Sequence, residues 1–369
     1  MRMRPKVRYA VVGAGNIAQT AVLPAFRHCR ETSELVAIVS GDAEKRGELG
    51  RRHRVAATGS YDDLESVIDA AGVDAVYLAV PNHQHRALTE RAARAGVHVL
   101  CEKPMALDED DCGAMIDLCA ERGVKLMIAY RLHFEPANLT AIELARSGEL
   151  GEVRLFSTVF SHDVRPGDIR ARGELGGGAL FDLGIYGINA ARNIFGAEPV
   201  SVMGMSIQGT DARSAEVDEA TTAILCFPGD RLAQITASQS AARVSSFRVV
   251  GSRGDLRVEP AYGHDSELIH HLTTAGRTRR RTFPRRDQFA PEIEHFSRCI
   301  IEDREPEPSG LEGLADVRVM RAIQESVTRG RAVTLDAFHK EDRPDLRLAG
   351  HKPPARKPEP IRAPPPAMR

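Results

Sequence analysis

Short apolar runs alternate with amphipathic stretches from Val7 to about Tyr130. Val7–Val12 is one such run, and it stops at Gly13-Ala14-Gly15; Leu35–Ser40, Asp74–Val80, Val97–Cys101 and Leu126–Tyr130 are others. Runs of this length suit strands buried on both faces of a parallel sheet. Helical spacing marks the stretches between them: Ile17 to Phe26, Asp62–Ala71, Arg86–Ala95, and Glu109–Arg122 with Met115, Leu118 and Cys119 on one stripe. Strict strand–helix alternation predicts a doubly wound parallel sheet.

The pattern changes after about residue 150. Val153–Ser161, Val200–Gln208, Ala220–Phe227, Leu232–Gln239, Phe247–Gly251 and Asp255–Glu259 read as strands, joined by turn signals such as Pro228-Gly229-Asp230 and Gly251-Ser252-Arg253-Gly254. Sequential strands with short loops predict a largely antiparallel sheet. Helices are expected near 136–147, 180–195, 289–302 and 313–329, which makes the second half an α+β domain with a large open sheet. From Lys340 to Arg369 there are eight prolines, eight Lys or Arg, four Asp or Glu and no aromatic residue. Such a segment reads as an exposed, partly polyproline-like tail, a flexible extension or one that packs on a partner subunit or an acidic partner. The predicted division is therefore 1–130, 131–338 and a tail at 339–369.

Composition narrows the class. The 369 residues are 42% hydrophobic and 27% charged with a formal net charge of -1, which excludes a disulfide miniprotein and a wholly disordered chain. Near-neutrality gives no global pull toward nucleic acid or a membrane surface. The basic start is followed by an apolar run too short for a secretion signal, and no stretch approaches the ~20 apolar residues of a membrane span. The six cysteines form no Cys-x-x-Cys and no zinc spacing, as expected of reduced, mostly buried thiols in a cytoplasmic enzyme. The histidine pairs His83/His85 and His270/His271 lack carboxylate or cysteine partners in the sequence, so no metal site is expected.

The first turn, Gly13-Ala14-Gly15-Asn16-Ile17-Ala18, follows a strand and opens a helix. Gly13 permits the tight turn, Gly15 lets a phosphate approach the backbone, and Ala18 lets helix and strand pack closely. A pyrophosphate would meet free N–H groups at the helix N-terminus. An acid near the end of the second strand would hold a ribose 2′-hydroxyl and repel a 2′-phosphate; Ser40 occupies that place, with Lys45 and Arg46 in the next turn. This favours NADP over NAD, with Asp42 the one residue that would serve a ribose diol if the turn is shifted.

Strand Val97–Cys101 runs into Glu102-Lys103-Pro104. Charges at the carboxyl end of a parallel strand point into the crevice where ligands bind, and a positioned lysine stabilises developing negative charge. A second cluster, Gly176-Gly177-Gly178 followed by Asp182 and Tyr186, sets a carboxylate and a phenol four residues apart on a predicted helix. A phenol titrates near 10 and needs a nearby cation to act as a base near neutrality; Lys103 is the candidate.

Taken together these motifs resemble the Gfo/Idh/MocA family, named after glucose–fructose oxidoreductase and inositol dehydrogenase. The resemblance runs from Val7 to Leu335 and also rests on Val80-Pro81-Asn82-x-x-His85, Ala92-Ala93-x-Ala95-Gly96-x-His98-Val99, Cys101-Glu102-Lys103-Pro104 and Tyr130-Arg131. Tyr186, where many members have histidine, is similar to the glucose–fructose oxidoreductase branch. The branch's Trp-Arg before the glycine run is represented by Ile169-Arg170, and the chain has no tryptophan. The resemblance implies a Rossmann domain and a C-terminal α+β domain. It implies Lys103 and Tyr186 as the acid–base pair for hydride transfer between a sugar's C1 and nicotinamide C4, with Asp182 on the sugar hydroxyls. Around the cofactor it implies Gly13, Gly15, Asn16, Ile17, Ser40, Lys45, Pro81, Asn82, His85, Glu102, Lys103, Arg131 and Arg170. It further implies NADP, sometimes tightly held, and a homodimer or homotetramer through the C-terminal sheet. The rival expectations are an NAD-dependent dehydrogenase of a cyclic polyol or another sugar, and a non-catalytic dinucleotide-sensing regulator.

Overall fold

The computed structural model describes residues 6–209 and 216–367. They divide into two compact units. The first takes Met1–Phe134, Arg286–Leu314 and Gly350–Pro365; the second takes Glu135–Arg285, Ala315–Ala349 and Pro366–Arg369.

The first unit carries a six-stranded parallel sheet of β1 (Val7–Val12), β2 (Ser33–Val39), β3 (Ala57–Gly59), β4 (Ala75–Leu78), β5 (His98–Glu102) and β6 (Leu126–Ala129), in the order β3-β2-β1-β4-β5-β6. The central strands are buried on both faces, which is why they read as unbroken apolar runs. Between the strands lie a π-helical turn at Ala18–Val22 running into α1 (Leu23–Ala25), then α2 (Ala43–His53), α3 (Leu64–Ala71), α4 (His85–Arg94) and α5 (Glu109–Glu121). The strand order reverses direction between β1 and β4, the switch point at which open sheets of this kind bind ligands. Two elements lie outside the expected set. Strand β3 has three residues, and α2 is so polar that only Leu49 and Gly50 are buried in it.

The second unit carries, among the described residues, a nine-stranded sheet. It comprises β7 (Val153–Ser161), β8 (Ser201–Ile207), β9 (Ala220–Phe227), β10 (Arg231–Ser238), β11 (Val244–Gly251), β12 (Gly254–Val258), β13 (Leu268–Thr274), β14 (Arg277–Phe283) and β15 (Val333–Thr334). The order is β14-β13-β12-β11-β7-β10-β9-β8-β15, and only β7 and β10 pair in parallel. Strands β13 and β14 extend the predicted sheet. Four of the seven residues of β14 are arginine, and charge on an edge strand discourages pairing with another chain. Helices α6 (Pro136–Arg146) and α7 (Ile185–Phe195) belong to this unit.

The interleaved division of the chain has a physical basis in α8 (Phe289–Ile301), which packs with the first sheet although it follows the second in sequence. Its Ser297 hydroxyl lies 2.8 Å from the Tyr9 phenol oxygen and 2.8 Å from the Ser33 hydroxyl, all three buried. The last helix, α9 (Gly310–Arg329), starts in the first unit and continues in the second. The proline-rich tail is seated rather than detached. Gly350 N–H donates to the Phe134 carbonyl (2.8 Å), Lys352 pairs with Glu294 (3.1 Å), and Arg343 pairs with Glu198 (2.6 Å). All six cysteines are free thiols, five of them buried. Among the described residues no helix is long and apolar enough to cross a membrane.

Helix α7 is held by a buried ion cluster. Arg192, with no exposed side-chain surface, meets Asp316 at 2.5 Å and Glu198 at 2.6 Å, and Asn189 donates to the other Asp316 oxygen at 2.8 Å. Burial alone raises the Glu198 carboxyl, but Arg192 and Arg343 outweigh it and hold it below the usual glutamate range. Removing one member of such a cluster strands a buried charge. Asp316→Ala should therefore cost about 3–5 kcal/mol in urea unfolding; a loss under about 1 kcal/mol would assign the cluster to the level of an exposed pair.

Candidate active site

In the first unit the candidate residues collect at the carboxyl ends of the parallel strands. Gly13 leaves β1 with φ +102°, and a Cβ built there would lie 2.2 Å from the Ala79 carbonyl oxygen after β4. A side chain at this position is excluded twice, by backbone conformation and by the neighbouring chain. At Gly15 a Cβ would meet nothing within 4 Å. The space over Gly15 and the helical turn that follows are what a pyrophosphate needs, so the residues present fit a dinucleotide.

Ser40 follows β2 and is buried, and its hydroxyl accepts a long contact (3.4 Å) from the Asp42 N–H. Asp42 caps α2: one of its oxygens accepts from Glu44 N–H (3.0 Å) and Lys45 N–H (3.1 Å). These bonds hold its carboxyl below the usual aspartate range, the Lys45 N–H contributing most. Lys45 Nζ stands 3.9 Å from the second Asp42 oxygen, and Arg46 donates to the Ser40 carbonyl at 2.7 Å. The carboxylate that would compete for a ribose diol is thus committed to the helix start, with Lys45 beside it and Arg46 on the Ser40 carbonyl.

Pro81 and Asn82 open a short 3-10 turn after β4. The sequence places His85 at the cofactor, but the structure buries it completely. Its ring nitrogens lie 2.8 Å from the Pro104 carbonyl and 3.1 Å from the Val80 carbonyl. Burial lowers its pKa. His85 is a clamp between the loops after β4 and β5, and it fixes Asn82 and Lys103 indirectly.

Glu102 ends β5, and the Lys103–Pro104 peptide that follows is cis. The Tyr77 phenol donates to Glu102 (2.9 Å) and lies 3.3 Å from Glu292 of α8. One phenol proton faces two carboxyl groups. Burial pushes Glu292 well above the usual glutamate range, and the neighbouring Glu102 adds to that; burial also raises Glu102, against the pull of Lys103. The two carboxyls and the phenol therefore titrate as one coupled group, with Glu292 the more strongly raised of the two acids. Arg131, after β6, is buried and donates to Gln288 at 2.5 Å. Glu292 and Gln288 carried no sequence signal, because they lie 215 residues along the chain from Tyr77 and 157 from Arg131, respectively.

In the second unit Asp182 lies in a π-helical turn (Leu180–Gly184) and Tyr186 in the first turn of α7, so the simple four-residue helical spacing is modified by the π turn. Gly177 approaches the neighbouring backbone so closely that a Cβ would sit 2.3 Å from the Arg170 carbonyl, which itself accepts the Gly178 N–H (2.8 Å). The glycine run thereby fixes Arg170. The sequence assigns Arg170 to the cofactor; the structure sets its guanidinium on Asp182 (3.0 Å) and Asp168 (3.2 Å). Burial would lower the guanidinium pKa, and the two carboxylates more than offset it. His162, just past β7, stands 3.9 Å from Asp182, and burial keeps its pKa below the ordinary histidine value. Around Tyr186 lie Phe160 (ring centroids 5.4 Å, edge-on) and Tyr262 (5.9 Å), and the Tyr262 oxygen lies 2.7 Å from the Thr158 hydroxyl. Sequence reasoning missed Phe160, His162 and Tyr262. Alternation along β7 could have exposed the first two, since Thr158, Phe160 and His162 share one face. His270, in contrast, is buried against Phe283, and no group of three potential metal ligands exists among the described residues.

Residues 7–130 match the model for the Gfo/Idh/MocA oxidoreductase family with an NAD-binding Rossmann fold, and residues 138–257 match a C-terminal domain of the same family. The chain belongs to the Gfo/Idh/MocA oxidoreductase family. It is 33% identical to the D-xylose 1-dehydrogenase (NADP+) of Haloarcula marismortui, over 89% of this chain and 93% of that protein. The crystal structure of an aldose-aldose oxidoreductase from Caulobacter crescentus, complexed with glycerol, superposes with a TM-score of 0.85 at 38% identity, covering 90% of this chain and all of that one. A 3-ketoreductase from Actinomadura kijaniata, in complex with NADP and TDP-benzene, superposes with a TM-score of 0.81 at 27% identity over 87% of this chain and 98% of that one. This Gfo/Idh/MocA chain is accordingly an oxidoreductase on the family's two-domain plan.

The two glycines of the cradle separate fold from binding. Gly13→Ala should destabilise the protein by at least about 1–3 kcal/mol, while Gly15→Ala should leave thermal unfolding nearly unchanged and weaken dinucleotide binding about tenfold or more. A Gly15→Ala protein that binds NADPH as tightly as the parent in a fluorescence titration would remove Gly15 from the cradle.

Proposed function

We propose that the chain is an NADP-dependent sugar oxidoreductase acting at the anomeric carbon of an aldose. The observation that carries the sugar reading is the patch around Tyr186. A phenol flanked by the rings of Phe160 and Tyr262 stands near an Asp182–Arg170 ion pair, which suits a ligand with apolar C–H faces and many hydroxyls. Relatives named for aldose and xylose oxidation support the same class. Ser40, Lys45 and Arg46, with Asp42 committed to its cap, support NADP.

When bound, the nicotinamide supplies the hydride acceptor. The protein's own residues handle charge and protons. Tyr186 in its phenolate form accepts the proton of the anomeric hydroxyl, and in the reverse direction the phenol donates it. Lys103 stabilises the negative charge that develops on the sugar oxygen. Asp182, oriented by Arg170, accepts hydrogen bonds from neighbouring sugar hydroxyls. Gly13, Gly15, Asn16 and Ile17 hold the pyrophosphate; Pro81, Asn82, Glu102 and Arg131 flank the nicotinamide ribose.

We further propose that the open sheet face is covered by a second copy of the chain. Met203, Met205 and Ile207 of β8 alternate outward, Met205 being 74% exposed, and Ile224, Leu155, Val159 and Leu232 are exposed on neighbouring strands. An apolar surface of this extent marks an interface.

Two measurements test these readings. With a panel of aldoses and NADP, Tyr186→Phe and Lys103→Ala should each lower kcat about 10²–10⁴-fold without unfolding the protein. Retained turnover, or a lower Kd for NAD than for NADP, would overturn the mechanism or the cofactor choice respectively. Met205→Glu should shift the parent's oligomer toward monomer in light scattering after gel filtration; a parent that is already monomeric refutes the interface.

A further inference from the structure

The C-terminal tail returns to the glycine turn of the first unit. Gln19, fully buried in the turn of helix after Gly15, pairs with both backbone polar groups of one tail residue: its Nε2 donates to the Ile361 carbonyl (3.0 Å) and its Oε1 accepts the Ile361 N–H (2.7 Å). The same Nε2 donates to the Ala14 carbonyl (2.8 Å) inside the glycine turn. Asn16, the next residue of that turn after Gly15, donates from Nδ2 to the Ala363 carbonyl at 2.7 Å. Further along, Arg362 pairs with Glu44 (2.6 Å) in the first turn of α2, and Arg52 in its last turn donates to the Glu359 carbonyl (2.9 Å). Segment 359–363 therefore runs from the end of α2 past its start to the cradle, along the edge on which the adenosine half of a dinucleotide would lie.

We propose that residues 359–363 are a strap of the dinucleotide site that retains the bound cofactor. The inference rests on the dinucleotide reading above and adds what governs exchange. Three features support a strap over a plug. Space remains over Gly15, where a Cβ would meet nothing within 4 Å, so the segment borders the phosphate cradle without filling it. Apart from the small buried side chain of Ala363, the contacts are hydrogen bonds and one exposed ion pair, which can open without dismantling a large core. The flanking prolines, Pro358, Pro360 and Pro364–Pro366, keep the segment extended, so little chain entropy is lost when it closes. The anchor at Gly350 and Lys352 keeps the segment close to its docking site after it opens.

The test uses NADPH, followed by its fluorescence, on the full chain and on two variants: a chain ending at Pro358, and full-length Ile361→Pro, which lacks the N–H gripped by Gln19. Displacement by excess NADP should show an off-rate raised about tenfold or more in the truncated chain and several-fold in Ile361→Pro. Trypsin cleavage of the full chain after Arg362 should slow when NADPH is present. Off-rates within about twofold of the parent in both variants, together with unchanged cleavage, would overturn the strap while leaving dinucleotide binding standing. A faster on-rate with an unchanged off-rate would make the segment a plug and equally overturn it. A parent that binds no NADPH at all would overturn the cofactor reading, and the strap with it.

Discussion

The near-contact of two backbones at the switch point organises the first unit. Gly13 leaves β1 so close to the Ala79 carbonyl after β4 that no side chain fits between them. That proximity sets the turn, aims the following helix, and holds open the space over Gly15. The other candidate groups are arranged about the same edge by the same means. Parallel strands deliver Ser40, Asn82, Lys103 and Arg131 there at their carboxyl ends, and His85 ties two of the loops together.

Electrostatics then distinguishes the residues. Of the acids near these loops, Asp42 is spent on a helix cap, Glu292 is pushed toward its neutral form, and Glu102 is left beside Lys103. In the second unit the carboxylate of Asp182 is anchored by Arg170, and the buried Arg192 cluster fixes the helix that carries Tyr186. Asp42, Glu102, Asp182 and Arg170 thus each have a neighbour that orients them, which is the condition for a site to hold its geometry.

The sequence was most informative where chemistry and local chain geometry coincide. The glycine turn, Ser40, the Glu102-Lys103-Pro104 run and Tyr186 are short-range signals, and the central strands of the first sheet are apolar enough to read directly. What escaped depended on distant packing. Strand β14 is arginine-rich and solvent-facing, so it lacks the usual strand pattern. Glu292 and Tyr262 reach their partners from far along the chain. His85 and Arg170 show what a motif leaves open: it gives the residue type but not the direction of the side chain, and both meet protein groups. The proline-rich tail read as a flexible extension because composition reports what a segment cannot bury, not what its backbone amides can meet.

The unequal demands on the two cradle glycines also bear on how the family can diverge. Gly13 is required by the polypeptide itself, whatever the protein does. Gly15 answers only to whatever lies above it. In a descendant that abandoned its nucleotide, selection for folding would keep guarding the first glycine while the second became free to drift. On the dinucleotide reading, the pair would therefore act as a molecular record: the state of the second position, read against an intact first, would report whether a lineage still depends on the nucleotide.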